Sequence, residues 1–187
     1  MTKREKSRIR IMHEAKRLYE TYGIENVTFG QIAEEAGMCR TTIFNHFATA
    51  GDLMLALYRQ EIEDIKAHCL AAGQTGMPLI EALFDKLIED TVCYPMLTSQ
   101  LTNHAILSRD EEKPIQTIED LVAQNLPSRF SGPAERERMA VLLLGAYYGL
   151  INHYHIYQKP FEEETLKEEF RQLLKILTGG TEHADEN

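Results

Sequence analysis

Cysteine is scarce in this chain and tryptophan is absent. The 187 residues include three cysteines, Cys39, Cys69 and Cys93, and no CxxC pair. An odd number of widely spaced cysteines supports neither a disulfide framework nor a zinc site, so we expect reduced thiols. No apolar run approaches the roughly eighteen residues that a membrane-spanning helix needs, and residues 1–20 lack the apolar core of a signal peptide. We therefore expect a cytoplasmic protein with no membrane partner.

Catalytic and cofactor motifs are also missing. The chain has no glycine-rich phosphate loop, no HExxH and no GxSxG. His153 and His155 are the closest approach to a metal pair. Residues two apart on a helix point in different directions, and no carboxylate or thiolate is suitably spaced beside them. We therefore predict neither an enzyme nor a metal site, and we expect no cofactor.

Positive charge is in the minority, but it is concentrated near the N-terminus. The net charge of the chain is −9. Residues 1–51 carry eight Lys or Arg against six Glu, a net charge of +2, and the rest carries 12 against 23. Seven of the eight basic residues lie within 3–17. Such a cluster is either a solvated surface or a source of phosphate contacts to DNA, and Lys6 is a candidate for such a contact.

Residues 27–47, VTFGQIAEEAGMCRTTIFNHF, have the pattern of two short helices joined at a glycine. Thr28 and Gln31 have the spacing of a capping box, which predicts that the first helix begins at about Phe29. Gly37 predicts the end of that helix, because glycine adopts positive φ without strain.

The second helix of the pair, about 40–47, has one apolar and one polar face. Ile43 and Phe47 are four apart and share the apolar face. The polar face holds Arg40, Thr41, Thr42 and Asn45. Small polar side chains outward and an apolar anchor inward suit a helix that enters a DNA groove.

The remaining sequence shows helical periodicity and no strand alternation. An amphipathic first helix is predicted to stop at Gly23, and Asp52 has the position of an N-cap for a long helix that runs to about Leu70. Glycine and proline in residues 71–78 indicate a linker. Five further helices are predicted at about 79–94, 96–107, 115–125, 134–157 and 162–178. The fold class is therefore all-α, with about nine helices.

The segment AVLLLGAYYGLI, within the predicted helix 134–157, is hydrophobic on nearly all sides. Such a helix needs more cover than one small domain provides, so we expect dimerisation through the last two helices.

The run GIENVTFGQIAEEAGMCRTTIFNHFATAGDLM resembles the helix-turn-helix of the tetracycline-repressor-like (TetR) family of bacterial regulators. The resemblance covers around fifty residues. Its tightest positions are Ala33, Gly37, Thr42, His46, Phe47 and Leu53. It implies a homodimer through the last two helices, a palindromic operator on double-stranded DNA, and a small-molecule effector held among the middle helices.

The resemblance also implies the division of the chain. Residues 1–51 are expected to form a three-helix helix-turn-helix DNA-binding domain. Residues 52–178 are expected to form a helical effector-binding and dimerisation domain, and residues 179–187 a disordered acidic tail.

The resemblance assigns a phosphate contact to Thr28, at a helix N-terminus, and groove contacts to the polar face of the second helix. The candidate DNA-binding residues are Lys6, Thr28, Arg40, Thr41, Thr42, Phe44, Asn45 and His46. His46 has two open interpretations, a packed cap beside Phe47 or a DNA contact. The family usually has tyrosine at Phe44 and often lysine at Ala50, so we predict weaker DNA affinity or a lower salt dependence.

The candidates for the effector pocket are apolar or amphipathic residues of the middle helices. They are Phe84, Ile88, Met96, Leu101, His104, Leu121, Tyr147, Tyr148, Ile151 and His155. Most residues of this kind pack in the core, and we expect about a third of them to touch a ligand.

The sequence thus predicts a DNA-binding transcriptional regulator, a repressor that a small effector releases from its operator. The alternative is a helical ligand-binding or adaptor module whose DNA-binding helices are weakened or vestigial. An activator would use the same helices, and the position of the operator would distinguish it from a repressor.

Overall fold

The computed structural model describes residues 1–71, 73–107 and 113–179. Within those ranges the chain forms nine α-helices, one 3-10 turn at Ile24–Asn26 and no strand, which confirms the predicted all-α class. The helices are α1 (Lys3–Tyr22), α2 (Phe29–Glu35), α3 (Arg40–His46), α4 (Ala50–Ala71), α5 (Met77–Cys93), α6 (Pro95–Leu107), α7 (Ile115–Asn125), α8 (Pro133–Ile156) and α9 (Glu163–Leu177). No described helix combines the length and apolar character required to cross a membrane. The predicted acidic tail, 179–187, lies outside the described residues except for Gly179.

Helix α1 begins at a capping box and ends at a glycine. The Thr2 hydroxyl accepts the Glu5 N–H at 3.2 Å, and the Glu5 carboxylate accepts the Thr2 N–H at 2.7 Å. Gly23 follows the last helical residue with a φ of 79°, a conformation that residues with a side chain rarely adopt. The predicted end of this helix is therefore confirmed.

Helix α4 begins earlier than the sequence indicated, and the prediction of Asp52 as its N-cap is wrong. The Thr49 hydroxyl accepts the Asp52 N–H at 3.1 Å, and the Asp52 carboxylate accepts the Thr49 N–H at 2.9 Å. Thr49 is therefore the N-cap and Asp52 lies in the first turn. Both residue types cap helices well, so composition alone favoured the wrong partner of this reciprocal pair.

Two compact units divide the chain, and each contains two separate segments. The first unit comprises Met1–Glu63 and Cys93–Lys113, and the second comprises Asp64–Val92 and Pro114–Asn187. Helix α6 therefore groups with α1, α2 and α3. The boundaries at 1–51 and 52–178 remain predictions, and the compact units divide the chain differently.

The core of the first unit joins α1, α2, α3, α6 and the start of α4. Its fully or nearly fully buried members include Ile11, Ala15, Leu18, Ile32, Ile43, Phe47, Leu53, Leu97 and Leu101. On the surface, the Arg17 guanidinium forms ion pairs with Glu14 in its own helix and with Glu35 at the end of α2. The three N-terminal helices thus share one hydrophobic core.

The core of the second unit contains an aromatic cluster of Phe84, Tyr147 and Phe170. The ring centroids of Phe84 and Phe170 are 4.4 Å apart, and those of Phe84 and Tyr147 are 6.2 Å apart. Next to the cluster, the hydroxyls of Thr91 and Tyr147 share a hydrogen bond of 2.6 Å. Asp85 and Arg171 form an ion pair of 2.6 Å. These contacts connect α5, α8 and α9.

Candidate nucleic-acid interface and effector residues

The predicted capping box at the start of α2 is present. The Gln31 side-chain oxygen accepts the Thr28 N–H at 2.8 Å, and the Thr28 hydroxyl accepts the Gln31 N–H at 3.3 Å. The same hydroxyl also lies 2.9 Å from the Gln31 oxygen. Thr28 is exposed, but its hydroxyl is already engaged, so a phosphate at this helix end would meet the backbone N–H groups first.

The turn between α2 and α3 depends on Gly37. Its φ is 61°, and the Met38 N–H donates to the Ala33 carbonyl at 2.8 Å while the Gly37 N–H donates to the Glu34 carbonyl at 3.0 Å. This pair of hydrogen bonds is the Schellman motif, which satisfies carbonyls at a helix end. A Cβ at Gly37 would also lie 3.3 Å from the Arg10 guanidinium. The turn that orients α3 therefore requires glycine.

Helix α3 buries one face and exposes the other, as predicted. Ile43 is completely buried, and Phe47, just after the helix, is almost so. Arg40, Thr41, Phe44 and Asn45 are exposed, whereas Thr42 and His46 are half-buried. The polar face is thus available to a macromolecular partner.

Cys39 is the N-cap residue of α3, and its thiol contacts the side chain of Thr42. The Cys39 sulfur and the Thr42 hydroxyl are 3.0 Å apart and share a hydrogen bond. This hydrogen bond is the largest cause that lowers the pKa of Cys39. Hydrogen bonds from backbone N–H groups at the start of the helix lower it further. The Thr42 hydroxyl is therefore already engaged in a hydrogen bond with Cys39.

Phe44 supports the side chain of Arg40. The Phe44 ring packs edge-on against Phe29 of α2, with centroids 5.2 Å apart, and the Arg40 guanidinium lies 5.5 Å above the Phe44 ring. Cations are attracted to the face of an aromatic ring, so this stack restricts the orientation of Arg40. These contacts do not need the hydroxyl of a tyrosine.

An open groove runs between the start of α1 and the exposed face of α3. It is lined by Lys3, Arg4, Ser7, Thr42, Asn45 and His46. Two cationic side chains and four polar ones thus face one channel. Lys6, the N-terminal residue predicted from the sequence, is exposed but is not among the lining residues.

Sequence reasoning did not single out Lys3, Arg4 or Ser7, although the apolar stripe of α1 points to two of them. Extending the stripe from Ile11 toward the N-terminus by four and by seven residues reaches Ser7 and Arg4. The face of α1 that is buried further along the helix therefore becomes the groove wall at its first turns. Charge density alone selected Lys6, which lies on another face.

Arg8 connects α1 to the end of α3. Its guanidinium lies 4.4 Å above the Phe47 ring and donates a long hydrogen bond, 3.5 Å, to the His46 carbonyl. Burial, and then the positive charges of Arg4 and Arg8, lower the pKa of His46. These surroundings favour the neutral form of His46. It lines the groove beside Arg4 and its ring also lies 6.3 Å from that of Phe47, so both interpretations remain predictions.

The ten candidate effector residues do not all belong to one compact unit. Three of them, Met96, Leu101 and His104, lie in α6 of the first unit, where Leu101 is part of the core and Met96 is exposed. The other seven, in the second unit, are Phe84, Ile88, Leu121, Tyr147, Tyr148, Ile151 and His155. All ten remain predictions.

The seven candidates of the second unit differ in how fully they are used by the core. Tyr147 is buried and hydrogen-bonded to Thr91, and Phe84 is packed against aromatic rings. The Nε2 atom of His155, by contrast, is buried and has no hydrogen-bond partner among the described residues, and its ring lies 4.8 Å from that of Phe161. His155 therefore has a buried hydrogen-bonding atom without a described partner.

Comparisons with known proteins agree with this geometry. Residues 11–57 match the sequence model of the family described as bacterial regulatory proteins, tetR family. An uncharacterized HTH-type transcriptional regulator of Mycobacterium tuberculosis is 28% identical over 143 residues, which cover 72% of this chain and 76% of the relative.

Solved structures share the fold along nearly the whole chain. The Thermus thermophilus FadR, a TetR-family repressor in complex with lauroyl-CoA, is similar with a TM-score of 0.63 and 23% identity over 93% of this chain and 94% of that protein. The fatty acid degradation regulator FadR of Bacillus halodurans has a TM-score of 0.71 and 13% identity, over 94% and 96% of the two chains. Residues 11–57 therefore form a DNA-binding domain of the TetR family, and the chain is a DNA-binding transcriptional regulator.

Proposed function

We propose that this regulator is a cytoplasmic repressor, which binds a palindromic operator as a homodimer and is released by a small-molecule effector. The groove between α1 and α3 carries the DNA-binding part of the proposal, because it joins cationic and polar side chains in one channel. Phosphate contacts fix the register of a protein on DNA, and base-edge contacts specify the sequence. Lys3 and Arg4 supply the first kind of contact, and the exposed face of α3 supplies the second.

Each residue of that face has a suitable chemistry. Arg40 can donate two hydrogen bonds to the edge of a guanine, and Asn45 can pair with an adenine. The methyl groups of Thr41 and Thr42 can contact thymine. We assign phosphate contacts on either side of the groove to Lys6 and to the backbone N–H groups beside Thr28.

An exposed apolar stripe on α8 supports the homodimer. Val141 and Leu142 are each more than half exposed, and Ile156, further along the same side of the helix, is 73% exposed. Between them, Gly145 and Gly149 are exposed, and an added Cβ at either would meet no atom within 4 Å. Helix α8 therefore exposes an apolar surface that is low at its two glycines. A second copy of α8 and α9 can cover this surface.

The charge of the second unit favours one class of effector only weakly. The unit carries nine Lys or Arg against 17 Asp or Glu, a net charge of −8. A neutral or cationic apolar compound suits this unit better than an anionic one. The Thermus thermophilus neighbour was solved with lauroyl-CoA, whose phosphates are anionic. Lauroyl-CoA therefore serves as the anionic compound with which neutral and cationic compounds are compared.

DNA binding is tested by fluorescence anisotropy with DNA from upstream of the protein's own gene and with a scrambled duplex of equal length. We expect salt-dependent, sequence-specific binding. Arg40→Ala should weaken specific binding by about 1–3 kcal/mol per contact and reduce discrimination between the two duplexes. Arg138→Ala is the matched control, because it removes the same charge from an exposed position of the second unit.

The alternative of an adaptor with vestigial DNA-binding helices rests on Phe44, Ala50 and the acidic second unit. It predicts no specific binding to that DNA, with or without cell extract. Such a result would refute the repressor.

Effector binding is tested by a thermal-shift screen of neutral, cationic and anionic compounds, with lauroyl-CoA among the last. A ligand at a hundred times its dissociation constant adds about 2.7 kcal/mol of stability. A true effector must also change DNA affinity, with a coupling of about 1–3 kcal/mol that is equal in both directions. If no stabilising compound alters DNA binding, the effector part of the proposal is wrong.

A further inference from the structure

The N-terminus of α6 is capped by a residue of α1. The first N–H groups of a helix have no partner within it, and Pro95 at the first position has no N–H to offer. The next two, those of Met96 and Leu97, donate to the two oxygens of the Glu20 carboxylate, at 3.2 and 2.8 Å. The capping carboxylate thus comes from 76 residues earlier in the chain, rather than from the turn that precedes α6.

One turn further along α6, Gln100 contacts the 3-10 turn that follows α1. Its side-chain oxygen accepts the Ile24 N–H at 3.1 Å. A Cβ at Gly23 would lie 3.3 Å from the side-chain nitrogen of Gln100, so the glycine also permits this close approach. We call the hydrogen bonds of Glu20 and Gln100 the α1–α6 link.

Apolar packing places α6 in the same core as the DNA-binding helices. Leu97 and Leu101 are buried in the cluster that contains Ile43 of α3. Tyr94 packs against that cluster, and the Lys16 ammonium lies 4.7 Å above the Tyr94 ring. The link therefore adds directional hydrogen bonds to an apolar contact that has no directional preference of its own.

The chain connection makes α6 a covalent continuation of the second unit. Thr91, near the end of α5, is fixed in the core of that unit by its hydrogen bond to Tyr147. Helix α5 ends at Cys93 and α6 begins at Pro95, so Tyr94 is the single residue between them. The end of α5 and the first turn of α6, where Glu20 is bound, are therefore joined by one residue of the chain.

We propose that Glu20 and Gln100 are positioning residues, which transfer the placement of α6 to α1 and thereby fix the spacing of the two recognition helices of the dimer. This inference rests on the proposed function. Neither side chain is required to touch DNA. Their loss should relax the preference for one half-site spacing and leave the binding of a single half-site unchanged.

The experiment varies the spacing of the operator that binds the unaltered protein. Each inserted base pair turns one half-site by about 35° relative to the other, so a fixed dimer loses affinity steeply. In Gln100→Met and Glu20→Gln we expect this loss to be smaller by about fivefold, the factor that corresponds to one ordinary hydrogen bond. A duplex with one half-site reports whether the DNA-binding helices are intact.

Two control variants separate positioning from folding and from charge. Gln100→Glu keeps an oxygen for the Ile24 N–H and should retain the spacing preference of the unaltered protein. Glu25→Gln removes a negative charge from an exposed residue of the same unit and should also retain it. The test variants must not weaken binding to the single half-site as much as binding to operators of every spacing. If they do, the two residues are merely structural and the inference is wrong. An unchanged spacing preference in both test variants overturns it as well. Absence of specific binding by the unaltered protein instead overturns the proposed function, and this inference with it.

Discussion

Replacement of Ala50 by lysine should strengthen DNA binding in a salt-dependent manner. Ala50 is the first residue of α4, it is exposed, and it follows the N-cap residue Thr49. A lysine there has room to extend toward a DNA phosphate. The nearby Asp52 carboxylate, in the same first turn, offsets the unfavourable interaction of a cation with the helix N-terminus.

The size of the effect follows from counterion release. Each phosphate neutralised by a cation changes the slope of log K against log salt by about −0.9, so a dimer with two new lysines should change it by about −1.8. Between 50 and 200 mM salt, that slope makes the advantage of the variant shrink by about tenfold. Phe44→Tyr should behave differently, because a neutral hydroxyl adds a hydrogen bond without releasing a counterion.

The assay is an anisotropy titration of Ala50→Lys on the operator at four or more salt concentrations. Ala50→Gln controls for side-chain length, and Gln116→Lys adds the same charge at an exposed position of the second unit. A slope that stays at the value of the unaltered protein refutes the reasoning. So does an equal change of slope in Gln116→Lys, since the effect would then be one of net charge.

Three further outcomes test the site. Phe44→Leu should lower operator affinity about two- to fivefold, because the cation–π contact that orients Arg40 is lost. Phe44→Tyr should retain this contact, and titration of both variants with the operator measures the difference. Gly37→Ala should destabilise the protein by about 1 kcal/mol through its positive φ, measured by urea unfolding, and an equal loss in Gly30→Ala would contradict that cause. The lowered pKa of His46 means that the unfolded chain binds more protons between its ordinary pKa and the folded one. Stability should therefore fall as pH decreases through that window, and His46→Gln should lose less stability there, as thermal unfolding at pH 7.5 and 5.5 will report.

Local patterns predicted the helices of the DNA-binding region well. The Thr28 capping box, the turn at Gly37 and the buried pair of Ile43 and Phe47 all depend on residues no more than five apart, and all are present. Asp52 was misassigned as the N-cap because Thr49 and Asp52 form reciprocal hydrogen bonds. From composition alone, either residue could be the N-cap.

Contacts between segments far apart in the chain could not be predicted in this way. Nothing local to Glu20 indicates that it caps α6, and nothing local to Gln100 indicates Ile24 as its partner. The same is true of the stack of Arg8 on Phe47, which joins residues 39 positions apart. Such contacts depend on how helices pack, and periodicity gives the face of a helix but not its neighbour.

The contact of Arg8 with the end of α3 has a consequence for redesigning operator specificity. A transplant of residues 29–47 into another regulator of this fold would carry the base-contacting side chains but leave behind the arginine that packs on Phe47 and the groove wall formed by Lys3 and Arg4. The transferable unit is therefore discontinuous, and it includes the first two turns of α1. A chimera that exchanges both segments should inherit the donor's sequence preference, and one that exchanges only the second should bind the donor's operator poorly.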